Sequence, residues 1–125
     1  MTQRIHLIDD DDPARESLAF LLATMGFEVL QYASAEQFLC LELDEPTADL
    51  LISDIRMPGL DGIELTRRLR QRPWSLPIVL ISGHADSRLA QAEIDAGASA
   101  FLEKPYTEVR VKEILEESAR RIGHR

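Results

Sequence analysis

The sequence predicts a doubly wound parallel α/β sheet of five strands flanked by five helices. Three observations lead there. Short apolar runs alternate with longer stretches in which apolar residues recur at helical spacing, and turn-forming residues punctuate nearly every junction. Two of the runs, Leu50-Leu51-Ile52 and Ile78-Val79-Leu80-Ile81, are apolar throughout. Continuous apolarity is what a parallel strand covered on both faces requires, so these two belong in the middle of the sheet. Repeated β-α units with right-handed crossovers then place helices on both faces.

The first strand is predicted over Ile5 to Ile8. The helix after it opens at Asp12-Pro13, a capping side chain before a proline at the first helical position, carries the stripe Leu18, Leu21, Leu22 and Met25, and is closed by a left-handed Gly26. The second strand runs from Phe27 to Gln31. A helix follows in which Ser34 and Gln37 have capping-box spacing. The third strand, Leu50 to Ser53, leads through the turn Met57 to Gly62 into a helix whose Asp61 and Glu64 repeat that spacing. Ile78 to Ile81 form the fourth strand, and Asp86 and Gly97 bracket a helix over Asp86 to Ala96 with a thin stripe of Leu89, Ala90 and Ile94. The fifth strand is Ala100 to Leu102. The last helix, Thr107 to Ile122, turns Val111, Ile114, Leu115 and Ile122 to the sheet.

Composition narrows the function. With 125 residues, 45% hydrophobic and 29% charged, the chain makes one globular domain over residues 1–125. Its 22 acidic against 14 basic residues give a net charge of -8, which argues against direct nucleic-acid binding by this segment and for a cation or basic partner. Cys40, the single cysteine, cannot form an internal disulfide, and no apolar run approaches the roughly 18 residues of a membrane span. Met1-Thr2-Gln3-Arg4 has no signal-peptide core, so the cytoplasm is the expected compartment.

In such sheets ligands bind beyond the carboxyl ends of the strands. Strand one ends in Asp9-Asp10-Asp11-Asp12, strand three in Asp54, strand four in Ser82 and strand five in Lys104-Pro105, all on one rim. Carboxylates of Asp9, Asp10 and Asp54 held about 5 Å apart would repel by about 3 kcal/mol per pair at an effective dielectric near 20. That demands a cation, and oxygen ligands without a His or Cys cluster suit magnesium better than zinc. Each residue alone has a plainer reading. Asp12 and Asp11 read as helix capping, Asp54 as a turn aspartate and Lys104 as a solvated lysine. Their coincidence at strand ends is what favours a site.

These residues carry a resemblance that covers essentially the whole chain. Leu7-Ile8-Asp9-Asp10, Asp54-Ile55-Arg56-Met57-Pro58 with Gly62 eight residues after Asp54, Ser82-Gly83 and Phe101-Leu102-Glu103-Lys104-Pro105 together resemble receiver domains of two-component response regulators. The stretch Ala14 to Leu22, the turn Ser82-Gly83-His84 and Phe101 resemble the FixJ branch of LuxR/NarL-type transcriptional regulators. The resemblance implies the flavodoxin-like strand order 2-1-3-4-5. It implies Asp54 as phosphoacceptor for a sensor histidine kinase, magnesium held by Asp10, Asp9, Asp54 and the carbonyl of Arg56, and Lys104 and Ser82 contacting the phosphoryl group. Ser82 and Phe101 would act as the switch pair. Arg56 and His84 would border the site as modulators, or be plain surface residues. A cis peptide before Pro105 is expected. The resemblance allows a homodimer on phosphorylation, and it leaves open a receiver followed beyond Arg125 by a DNA-binding output domain or a single-domain regulator. Serine stands where threonine is commoner and phenylalanine where tyrosine is; hydroxyl and ring are kept.

A receiver is a phosphoacceptor regulatory domain that catalyses only its own phosphorylation and dephosphorylation. Two alternatives stay open. An aspartate-nucleophile phosphohydrolase would use Asp9 as nucleophile and Asp11 as acid, but Pro13 stands where that family has Thr or Val, and no cap domain fits the length. A phosphorylation-independent interaction module would leave the carboxylates as unused repulsion.

Overall fold

The computed structural model describes residues 3–40, 50–72, 76–83 and 96–123, with side chains through 118. Five strands, β1 (Arg4–Ile8), β2 (Glu28–Tyr32), β3 (Leu50–Asp54), β4 (Ile78–Ser82) and β5 (Ala100–Glu103), form one sheet. All pairs are parallel and the order is β2-β1-β3-β4-β5, as the resemblance implied. The four described helices are α1 (Asp12–Thr24), α2 (Ala35–Leu39), α3 (Gly62–Arg70) and α4 (Glu108–Gly123). Five were expected; of the helix predicted over Asp86 to Ala96, only Ala96 lies among the described residues, and the stripe Leu89, Ala90, Ile94 lies outside them.

The alternation of strand side chains divides the core in two. Ile5, Leu7, Leu50, Ile52, Val79 and Ile81 pack with Leu18, Ala19 and Leu22 of α1 and Val111, Ile114 and Leu115 of α4. On the other face Ile8, Leu51, Ile78 and Leu80 pack with Ala35 and Phe38 of α2, Ile63, Leu65 and Leu69 of α3, and Ala96. Every residue of β3 and β4 is buried, the condition that their unbroken apolar runs anticipated.

Helix ends follow the predicted chemistry with one correction. α1 is capped by Asp11, not Asp12: the Asp11 carboxylate accepts from Ala14 N at 3.0 Å, while Asp12 is already helical and pairs with Arg15. Pro13 therefore sits at the second helical position, still within the turn whose N–H groups need no intrahelical partner. Gly26 has φ 96°, closing α1 as expected. Ser34 accepts from Gln37 N at 3.0 Å and Asp61 from Glu64 N at 2.8 Å, while the Gln37 side chain reaches back to Ala33 N rather than to Ser34.

His6 is the polar residue that the sequence pattern left unexplained. It is 1% exposed in β1, its Nδ1 lies 3.0 Å from the Tyr32 hydroxyl, and its ring packs against Tyr32 and Phe38. Nε2 is buried with no hydrogen-bond partner. Burial pushes its pKa from 6.5 down to about 4. Since the unfolded chain takes up this proton first, stability present above pH 6.5 is lost as pH falls towards 4. We expect the urea-derived stability of the wild type to fall more steeply over that window than that of His6→Leu, by up to about 1.4 kcal/mol per pH unit. Equal slopes would refute the assignment.

Candidate functional site

The two central registers bring the strand-end acids together. Ile8 pairs with Ser53 across β1 and β3, so Asp9, one residue beyond β1, comes level with Asp54 at the end of β3. Asp9 is 3% exposed and Asp54 8%, while Asp10 is exposed. One carboxylate oxygen from each of the three lies within 4.8 Å of the others. Asp9 Oδ1 accepts from Asp11 N at 3.0 Å, and Asp54 Oδ1 accepts from Ile55 N at 3.0 Å.

The other side of the rim comes from β4 and β5. Ser82 ends β4 and is 7% exposed; its carbonyl accepts from Lys104 N at 2.7 Å. That bond holds Lys104 beside the end of β4, and its Nζ lies 3.7 Å from Asp54 Oδ2; the Lys104–Pro105 peptide is cis. Phe101 is half-buried in β5 opposite Leu80. The Arg56 side chain is exposed, and His84 lies outside the described residues.

Burial raises the pKa of both Asp54 and Asp9. For Asp54 the Lys104 ammonium opposes that shift and the Asp9 carboxylate adds to it. For Asp9 the Asp11 amide and then Lys104 oppose it, with Asp10 and Asp11 adding. A cluster of oxygen-only donors, crowded and partly desolvated, fits a hard divalent cation such as magnesium; among the described residues no His or Cys belongs to it.

Gly62 opens α3, and its amide donates to Ile55 O at 2.9 Å. A Cβ there would collide with the Asp54 carbonyl oxygen, so only glycine lets α3 start this close to the acid.

Two neighbours of the pocket escaped the sequence reading. Tyr106 is half-buried, and burial, followed by the charges of Asp9 and Asp54, raises its pKa. An aromatic two residues past the strand-end lysine was its one signal. Arg15 donates through Nη1 to Asp9 O at 2.9 Å and pairs with Asp12 at 2.7 Å. Its spacing of three from Asp12 was visible, but its reach to Asp9 was not.

Against known proteins, a family model described as the response regulator receiver domain matches residues 5–116. The transcriptional regulatory protein FixJ of Rhizobium meliloti is 38% identical over 115 residues, covering 92% of this chain and 56% of that protein. FixJ of Bradyrhizobium diazoefficiens is 41% identical over 116 residues, covering 93% of this chain and 56% of its own length. The chain thus spans a little over half the length of these curated relatives. A crystal structure of full-length FixJ from B. japonicum superposes with a TM-score of 0.86 at 40% identity, over 96% of this chain and 59% of that one.

Because Asp54 is held with a raised pKa, the protonated acid favours the fold. The metal-free protein loses that contribution as pH rises from the unfolded value of 3.8 through the higher folded value. Asp54→Asn should therefore melt at a higher temperature than wild type at pH 7 without metal, because the relieved desolvation and carboxylate repulsion outweigh the lost Lys104 attraction. The difference should vanish below pH 3.8. Calorimetry in chelator checks this; a lower melting temperature for the variant at pH 7 would overturn it.

Proposed function

The chain belongs to the response regulator receiver domain family, and on that premise we propose that residues 1–125 form a phosphorylation switch in which Asp54 accepts a phosphoryl group from a sensor histidine kinase. The observation that carries this reading is the convergence of Asp9, Asp10 and Asp54 within 4.8 Å, with Lys104 Nζ 3.7 Å from Asp54. Phosphoryl transfer asks mainly for in-line positioning and neutralisation of oxygen charge. An ionised Asp54 oxygen attacks phosphorus of the donor phosphohistidine. The O–P bond forms as the P–N bond breaks, and the electron pair stays on the imidazole nitrogen. No general base is required.

Asp9, Asp10, Asp54 and the Arg56 carbonyl would hold magnesium. When bound, it supplies positive charge that neutralises phosphoryl oxygens. Lys104 pairs with one phosphoryl oxygen and Ser82 hydrogen-bonds another. Arg56 and His84, each two residues beyond a site residue in the sequence, would tune how long the acyl phosphate survives. Ser82 and Phe101 couple the site to a face that includes β5 and α4, where a second copy or an output domain docks. FixJ is a transcriptional regulatory protein roughly twice as long as its matched portion, which supports an output, DNA-binding in kind, outside this segment. No helix among the described residues is long and apolar enough to cross a membrane, and a cytoplasmic setting suits a kinase partner.

The phosphohydrolase reading needs Asp11 as a free acid. Its carboxylate is exposed and instead caps α1 at Ala14. The regulatory reading is the better supported of the two.

With acetyl phosphate and magnesium, the wild type should gain one phosphoryl group by intact mass and Asp54→Asn none. A persistent adduct on the variant refutes Asp54 as acceptor. Beryllofluoride, a phosphoryl mimic, should alter amide exchange over residues 83–106 in wild type and much less in Ser82→Ala or Phe101→Ala. Unchanged exchange in wild type would remove the switch.

A further inference from the structure

We propose that Arg15 is a positioning residue for the acidic pocket, fixing the turn between β1 and α1 so that Asp9 and Asp10 present their oxygens together to a divalent cation. The inference rests on the receiver reading above and adds to it a residue outside the phosphoryl chemistry.

Arginine side chains are mostly exposed, yet the Arg15 side chain is only 12% exposed. Its three nitrogens reach three separate pieces of chain. Nη1 donates to the Asp9 carbonyl at 2.9 Å, Nη2 meets Asp12 Oδ1 at 2.7 Å, and Nε donates to Gln31 Oε1 at 3.3 Å. The end of β1, the first turn of α1 and β2 are thereby tied to one planar group. A guanidinium can do this because its donors form a rigid fork.

The contact with Asp9 is the informative one. Asp9 N donates to Tyr32 O at 3.1 Å, and the Asp9 carboxylate accepts from Asp11 N at 3.0 Å. With Arg15 on the carbonyl, the N–H, the C=O and one carboxylate oxygen of Asp9 each have a partner. That carbonyl belongs to the planar Asp9–Asp10 peptide, which also contains the Asp10 N and Cα, so holding it fixes the point from which the Asp10 side chain departs. Asp10 is exposed, and among the described residues no side-chain hydrogen bond holds its carboxylate. Arg15 anchors its Cα, through the backbone. Meanwhile Asp12 pairs the guanidinium charge outside the three-acid cluster, so Arg15 acts by geometry.

Charge and geometry separate in Arg15→Lys, which keeps the cation but cannot form the fork. Magnesium binding by titration calorimetry to the full chain should weaken by about tenfold or more in Arg15→Lys and Arg15→Met, the loss typical when a residue that supports metal ligands is removed. Amide exchange in the metal-free protein should quicken at Asp10 and Asp11 and stay unchanged in the core of β3 and β4. Asp12→Asn keeps the Asp9 contact and should bind magnesium far closer to wild type. Wild-type affinity in Arg15→Lys would overturn the positioning role while leaving the receiver reading intact. Faster exchange throughout β3 and β4 in both variants would reduce Arg15 to a general stabiliser and also overturn it. A wild type that binds no magnesium would remove the receiver reading, and the positioning role with it.

Discussion

Three carboxylates share one end of a buried sheet, and the rest of the structure holds them there against their own repulsion. Oxygens of Asp9, Asp10 and Asp54 lie within 4.8 Å of one another, a separation at which each charged pair costs about 3 kcal/mol at an effective dielectric near 20. No local turn could sustain that. The acids are carried by β1 and β3, whose Leu7, Ile8, Leu51 and Ile52 are at most 2% exposed and cannot shift without opening the core. Lys104, reaching from β5, offsets part of the repulsion, and Gly62 lets α3 pack close behind Asp54. On the proposed reading, the crowding that weakens the metal-free fold is what a small, highly charged cation would relieve, so stability and affinity would be set by the same contacts and move in opposite directions.

Much of this was legible in the sequence because parallel sheets of this kind put the ends of every strand on one rim. Once Leu50-Leu51-Ile52 and Ile78-Val79-Leu80-Ile81 were recognised as central strands, Asp54 and Ser82 had to sit at their carboxyl ends, and Asp9 and Lys104 beside them. The strand order itself came from family resemblance, since apolar patterning ranks strands by burial without pairing them. What stayed hidden was reach across elements. Arg15 contacts Gln31, 16 residues away, and Glu36 accepts from Leu60 N, 24 residues away; neither spacing has a periodic signature. The cap of α1 was misplaced by one residue because Asp11 and Asp12 are chemically identical. Pro13 is tolerated anywhere in the first turn and could not break the tie. His6 went unremarked for a similar reason: a single polar residue in an apolar strand is invisible to periodicity until its burial is known.

The two halves of the rim differ in how firmly they are held, and the difference has a direction. β3 and β4 are buried at every residue, whereas β5 is an edge strand with Ala100 and Phe101 half-buried and Glu103 exposed. Edge elements with less buried area open at lower cost. On the proposed reading, phosphorylation adds charge at Asp54, and Lys104 is the cation within its reach among the described residues. Drawing Lys104 inward pulls on β5, because Lys104 N is bonded to Ser82 O at 2.7 Å and Phe101 lies three residues back along the same strand. The acid half cannot answer, being locked in the core, so displacement falls on β5 and on what packs against it. Moving the Phe101 ring from half-buried to buried is worth a few kcal/mol at most. That is enough to shift a balance between two states and too little to lock either, which a reversible signal requires. A phenylalanine here carries no hydroxyl to be desolvated on entry, so the equilibrium turns on ring packing alone.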